Sequence, residues 1–364
     1  MKIAKVETAL VRIPYRHGGP PTGFGGRTWT TIDTLLVRVD TEDGLSGWGE
    51  AFGYNVNEGT KATIDSLIAP LCIGRDATAI AALMADLQRT LHFFGRGGPV
   101  IYGLSGIDIA LWDLAGKRAG VPLYRLFGGP ARHHVRAYAS LLRYRDPAVT
   151  AKVSAEAVQR GYQHVKLHEI DVAPVASARE AAGPATRIMV DTNCPWSLGE
   201  AQFMARQLAA CDLFWLEEPI WPPEDFAALA ELRRTSAMPI AAGENAGSAV
   251  QFAQMLAARA IDYAQPSVTK IGGIGEFRKV LALAEAANVM VAPHSPYFGP
   301  GLLATLHVLA AAPQEMLVER LYVDLEASLC GEFVAAREGI MTVPDGPGLG
   351  CDPDHEVMAR YRAA

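Results

Sequence analysis

The sequence is short of several things that would settle its class at once. It has five cysteines, Cys72, Cys194, Cys211, Cys330 and Cys351. The number is odd and no two form a Cys-x-x-Cys pair, so neither a disulfide framework nor a zinc site is indicated, and a reducing cytoplasm fits. There is no positive excess: 33 Lys and Arg stand against 39 Asp and Glu, a net charge of −6. That argues against nucleic acid as a partner and gives no reason to expect an anionic membrane, while leaving room for a local cationic pocket that takes an acidic substrate. Long apolar runs are missing too. Leu302 to Ala312 is too short to cross a bilayer, and Met1 to Tyr15 lacks the continuous apolar segment of a secretion signal. Charge density is not extreme, with 20% charged and 50% hydrophobic residues over 364 positions, so disorder is excluded as the main state and a large core is attainable. The length suggests about two domains.

Along the chain, Lys2 to Pro14 alternates as a strand, and a Gly- and Pro-rich loop follows from Arg16 to Gly26. Thr31 to Asp40 and Leu45 to Ala51 read as strands joined by the Glu42-Asp43-Gly44 turn. From about Glu58 to Gly120 the pattern is helical. Strands followed by helices make an α+β unit over residues 1–125.

After Gly128-Gly129-Pro130 the pattern changes. Short apolar runs alternate with Ala-rich helical stretches: His164–Leu167, Arg187–Val190, Leu213–Leu216, Pro239–Ala242, Tyr263–Val268, Val289–Ala292 and Met316–Val318. Polar residues at their ends, Lys166, Asp191, Glu217, Glu244, Lys270, His294 and Glu319, recur about every 25 residues, the length of one strand, one helix and two short loops. A parallel βα repeat over 126–325 closes into a barrel whose chemistry lies at the C-terminal ends of its strands. Residues 326–364 lose the repeat. Ile340 to Val343 reads as a late strand returning, with the rest of the tail, to the first domain.

Three carboxylates stand at consecutive strand ends: Asp191 in VDTN, Glu217 in LEEP and Glu244 in AGEN. One alone would be read as a solvated loop acid. Three at one register can converge, and hard oxygen ligands suit Mg²⁺. Glu218 beside Glu217 stays ambiguous, since neighbouring strand residues point oppositely.

With these stretches in view, the sequence resembles the mandelate racemase and muconate lactonizing subgroup of the enolase superfamily. LSGIDIALWDLAGKRAGVPLYRLFG at Leu104 to Gly128 is similar to a signature of that family, as are Asp191-Thr192-Asn193, Glu217-Glu218-Pro219, Gly243-Glu244-Asn245 and KIGG at Lys270 to Gly273. The resemblance implies an α/β fold: a modified (β/α)7β TIM-like barrel under an α+β capping domain built from the N-terminus and the C-terminal tail. It implies Mg²⁺ held by Asp191, Glu217 and Glu244, with Asn193 and Asn245 beside the ligands. It also implies a homo-oligomer and abstraction of the proton α to a carboxylate, through an enediolate that the cation stabilises.

In that family the second barrel strand often carries Lys-x-Lys; this chain has Lys166-Leu167-His168. Alternation puts 166 and 168 on one side. Lys166 would add positive charge at the substrate carboxylate. His168 would stand where the reactive lysine does, and an ordinary imidazole is a usable base near pH 7; the plainer alternative is a hydrogen-bonding role. His294, in APHSPYFGPG, matches the histidine of the opposite face. Its usual aspartate partner on the sixth strand is Ser267 here, which can orient an imidazole but cannot stabilise imidazolium as a carboxylate does. Lys270 is expected to line the site. Glu319 is expected to meet substrate, with an ion pair to Arg320 as the structural alternative. Trp29 and Tyr54 are candidate substrate walls on cap loops. Asp108 and Trp112 read as structural, and His133-His134 as surface.

The expected function is Mg²⁺-dependent dehydration of a sugar acid or related hydroxy acid, a small carboxylic acid. A racemase, epimerase or cycloisomerase shares the enediolate and is the first alternative. A metal-binding relative without catalysis is the second, supported by Ser267.

Overall fold

The structure, a computed structural model, describes residues 1–363. The cap begins with a long strand, Ile3–Arg16, paired antiparallel with Thr31–Thr41, so that Leu10 faces Leu35 and Ile13 faces Ile32. Ser46–Ala51 completes the meander. One face of this sheet is apolar because Leu35, Val37 and Val39 alternate along it, and it packs on the helices Ile80–Leu91 and Pro99–Ala119. The loop after the first strand carries a small hairpin, Gly23–Phe24 with Arg27–Thr28.

The barrel has eight parallel strands. The first, His134–Ser140, has no counterpart among the apolar runs of the sequence, because HVRAYAS has only Val135 and Tyr138 as large apolar residues. The others are His164–Leu167, Arg187–Asp191, Leu213–Glu217, Ile240–Ala242, Tyr263–Ala264, Met290–Val291 and Val318–Leu321. Seven helices alternate with them, several started by residues suited to the task. Asp146 caps 147–159 with Pro147 in its first turn, and Ser197 forms a capping box with Glu200. The eighth strand pairs with the first, and the seventh with the sixth. Across the seam between the seventh and eighth, Ser295 N–H donates to Glu319 Oε2 at 2.9 Å.

Period-two alternation builds the interior in layers. Tyr138, Met189, Trp215, Ala241 and Ala292 form a buried floor. Two residues further along three of those strands stand Asp191, Glu217 and His294. The odd-phase neighbours Val165, Leu167, Ile188 and Val190 face the helical layer.

Two details differ from the sequence reading. The eighth strand runs 318–321, so Glu319 lies within it, not beyond it. The late strand Ile340–Thr342 pairs antiparallel with the first barrel strand, Met341 opposite Val135, not with the cap. The tail reaches the cap elsewhere: Asp324–Leu325 pairs with Tyr15 and Arg16, and Ala363 N–H donates to Leu10 O. Asp108, buried on the cap helix, accepts from Gly275 N at 3.1 Å and starts the helix Ile274–Ala286. Gly273 is required there: its φ is +91°, and a Cβ would collide with the Asp108 side chain.

Candidate active site

Asp191, Glu217 and Glu244 each present a carboxylate oxygen within 4.8 Å of the others. Parallel pairing aligns Asp191 with Glu217. Gly243 positions Glu244: its φ of +136° disfavours other residues, and a Cβ would meet the Phe252 ring. Asn193 lies beside Asp191, its side chain and backbone N–H both donating to Oδ1 at 2.9 Å. Asn245 instead grips Glu218, at 3.0 and 2.8 Å. Glu218, just past the strand at φ +46°, meets Asn245 and the Cys194 thiol.

Lys166 is wholly buried, with Nζ 2.8 Å from Glu217, 2.9 Å from Glu319 and 3.4 Å from Asp191. Burial works against its charge, but Glu217 and Glu319 outweigh burial and hold the pKa well above the ordinary lysine value. Burial likewise opposes ionisation of Glu319, yet Lys166 and His294 bring it to about 2. For Glu217, burial wins over Lys166 and the carboxyl is raised. The cluster thus holds more buried acid than Lys166 and Lys270 can neutralise, which is the condition a divalent cation relieves. The hard-oxygen donor set fits Mg²⁺.

His168 Nδ1 is 2.5 Å from Leu141 O, and Nε2 is 3.2 Å from Asp191 Oδ2. His294 Nε2 is 3.1 Å from Glu244 Oε2. The two imidazoles therefore flank opposite ends of the triad. His294 Nδ1 meets Ser267 Oγ at 3.2 Å and Tyr297 Oη at 3.4 Å, and those two hydroxyls bond each other. Burial holds His294 below the ordinary imidazole value, with Glu244 and Glu319 pulling back only in part. Ser267, at the place of the usual aspartate, is 1% exposed and meets the His294 ring at Nδ1.

Glu319 is also less available than expected. Its oxygens take Ser140 Oγ at 2.6 Å, Lys166 and Ser295 N–H. Arg320 is not its partner: alternation turns that side chain outward, over the Phe298 ring at 4.0 Å. Lys270 Nζ stands 3.4 Å from Glu244 and from Asn245, and 4.9 Å over Phe52. Trp29 and Tyr54 stack at 5.1 Å, Tyr54 Oη donating to Pro296 O beside His294. This pair joins the cap to the loop after the seventh strand.

Sequence reasoning missed Tyr297, although it lies in the same stretch as His294. It also missed Arg143, because the first strand was not located. Arg143 donates to His168 O at 2.7 Å, Thr192 O at 3.0 Å and Asn193 Oδ1 at 2.8 Å. Glu169 accepts from Tyr144 and Arg145 N–H, fixing the loop that offers Leu141 O to His168. Cap residue Thr22 bonds Arg143 O, so the cap loop rests on that same loop.

Residues 6–128 match the family described as mandelate racemase / muconate lactonizing enzyme, N-terminal domain, and residues 148–357 match the enolase C-terminal domain-like family. The chain is 34% identical to a 3,6-anhydro-α-L-galactonate cycloisomerase of Streptomyces coelicolor, over 98% of this chain and 99% of that one. It is 32% identical to an arabinonate dehydratase of Saccharolobus solfataricus, over 91% of each. A crystal structure of a Streptomyces coelicolor racemase with bound magnesium superposes with a TM-score of 0.88 at 30% identity, covering 99% of this chain and 100% of that one. No helix among the described residues is long and apolar enough to cross a membrane.

Proposed function

The chain belongs to the mandelate racemase and muconate lactonizing group of the enolase superfamily, and from that premise we propose that it is a Mg²⁺-dependent dehydratase of a sugar acid. The observation that carries the reading is the placement of two imidazole Nε2 atoms at opposite ends of a three-carboxylate cluster. A homo-oligomer in the cytoplasm completes the proposal.

Asp191, Glu217 and Glu244 would hold the ion, which when bound supplies positive charge for the enediolate oxygens. Lys166 adds a permanently charged ammonium beside them. His168 Nδ1 faces a carbonyl, which can only accept, so Nδ1 keeps its proton and Nε2 is the atom that takes the α-proton. His294 Nε2 then gives a proton to the β-hydroxyl as the C–O bond breaks, and water leaves. The remaining enol takes a proton at carbon to become a 2-keto-3-deoxy acid. The cap residues Trp29 and Tyr54 exclude water over this chemistry.

A second reading, a cycloisomerase, is favoured by the Streptomyces coelicolor relative. The chemistry is the same where the leaving oxygen belongs to a ring: the ring opens and nothing is lost.

The test is a panel of sugar acids and their anhydro and lactone forms, incubated with Mg²⁺ in H₂O for product mass and in D₂O for α-proton exchange. A keto-acid product lighter by one water supports the dehydratase. A keto-acid of unchanged mass supports the cycloisomerase. Absence of both product and α-proton exchange across the panel points to a relative without catalysis. Exhaustive chelation should abolish turnover, and unimpaired turnover without metal would sink the Mg²⁺ assignment.

A further inference from the structure

We propose that Cys330 and Cys351 are a redox pair that closes into a reversible intramolecular disulfide, fastening the C-terminal tail across the joint between barrel and cap. The tail crosses itself at this point. From Cys330 the chain makes a short turn over Gly331–Val334, pairs Ile340–Thr342 with the first barrel strand, turns through Gly346 to Gly350 and comes back. Asp354 N–H donates to Leu329 O at 2.8 Å, which ties the outgoing and returning segments together. Cys330 directly follows one bonded residue and Cys351 lies three before the other, and Cys351 packs against the same core cluster that holds Cys330. The other cysteines have different neighbours: Cys72 is in the cap core, Cys194 is 3.5 Å from Glu218, and Cys211 is in the barrel's helical layer.

The two sulfurs differ in access. Cys330 is 1% exposed within the core, whereas Cys351 is half-buried. The neighbouring Cys330 thiol lowers the Cys351 thiol, while Cys351 and burial raise Cys330. Cys351 is therefore the attacking thiolate and Cys330 the resolving one. With a small-molecule disulfide as oxidant, Cys351 attacks one sulfur, the small S–S bond breaks and one thiol leaves with the proton Cys351 gave up. Cys330 then attacks the mixed disulfide at Cys351, its proton goes to the second departing sulfur, and a second thiol leaves. Two protein thiols are oxidised and one disulfide is reduced to two thiols.

The bond would matter because the returning segment is seated on the cap. Leu349 N–H donates to Asp113 on the cap helix at 2.8 Å, and Lys117 reaches Asp352 at 2.5 Å. Asp113 also takes Trp48 N–H at 2.8 Å, inside the cap sheet. Cys330 is anchored in the barrel core. The disulfide would link the two.

The experiment exposes the full chain to oxidised glutathione, alkylates free thiols and digests for mass spectrometry. A peptide pair cross-linked through Cys330 and Cys351 is expected, with the other three cysteines still alkylated and the melting temperature raised by roughly 3 °C. Cys351→Ser should remove the cross-link and the shift, and Cys330→Ser should trap glutathione on Cys351. The proposal is overturned if the wild type carries glutathione on Cys351 without the internal bond, if both thiols stay alkylatable at saturating oxidant, or if the cross-link leaves the melting temperature unchanged.

Discussion

The two histidine flanks of the site solve one problem in different ways. His168 has its Nδ1 against a backbone carbonyl and its side chain is 18% exposed. His294 has its Nδ1 against two hydroxyls and its side chain is 9% exposed. A carbonyl accepts only, so the His168 tautomer is fixed; hydroxyls accept or donate, so His294 can carry its proton on either nitrogen. His168 bonds at both nitrogens at once only as the imidazolium, with Nε2 against Asp191. His294 is satisfied while neutral, giving Nε2–H to Glu244 and accepting at Nδ1. The first flank is built to receive a proton at one atom. The second is held uncharged by burial, so it acts as an acid only through its minor imidazolium form.

His168→Asn breaks the comparison most severely. It should lower turnover by about a thousandfold and stop α-proton exchange with solvent to the same extent, because the only fixed base is gone. Exchange at the wild-type rate would move the base to Lys166 or Lys270. His294→Asn should cost about a hundredfold in turnover while leaving exchange measurable, since abstraction precedes loss of the β-oxygen. Equal loss of turnover and exchange in both variants would erase the division of labour.

The paired hydroxyls behind His294 give a smaller effect. Ser267→Ala and Tyr297→Phe should each cost about tenfold or less, because either hydroxyl can serve Nδ1 when the other is missing. The double variant should lose more than the two single losses combined. A double-mutant cycle of turnover that shows simple additivity would mean that the two do not share the ring.

How much of this was legible differs between the flanks for a physical reason. The fold and the triad follow from spacing, because a βα unit has a nearly fixed length and strand ends recur with it. Asp191, Glu217 and Glu244 could be placed on that basis alone; Lys166 and His168 come from the family resemblance, and alternation adds only that they share a side. The partners of the histidines could not. Leu141 contributes a carbonyl, for which the identity of its side chain carries no signal. Ser140 ends, and Arg143 follows, the one strand too poor in large apolar residues to be seen. Tyr297 lies three residues beyond His294, but only the turn of the loop brings its hydroxyl to Nδ1. Ser267 looked like a defect in a histidine–aspartate pair. With Tyr297 beside it, it is half of a neutral pair of a different kind.

The finest test exchanges one kind of flank for the other. Ser267→Asp puts a carboxylate where the hydroxyl meets Nδ1. In the wild type, burial keeps His294 below its ordinary 6.5. Its protonated form is scarce at neutral pH, and activity that needs that form as an acid falls early on the alkaline side. A neighbouring carboxylate should raise the His294 pKa, moving the alkaline limb of the Mg²⁺-saturated pH–rate profile upward with it. The stability signature changes sign as well. A depressed histidine contributes stability that is present above 6.5 and lost as pH falls through its folded value. A raised one contributes stability that is complete below 6.5 and lost as pH rises through the new value. Melting temperatures of wild type and variant should therefore diverge in opposite directions between acid and neutral pH, and ring-proton NMR would read the pKa itself. If the His294 pKa rises but the alkaline limb stays where it was, His294 is not the acid, and the neutral flank serves to hold the substrate and not to protonate it.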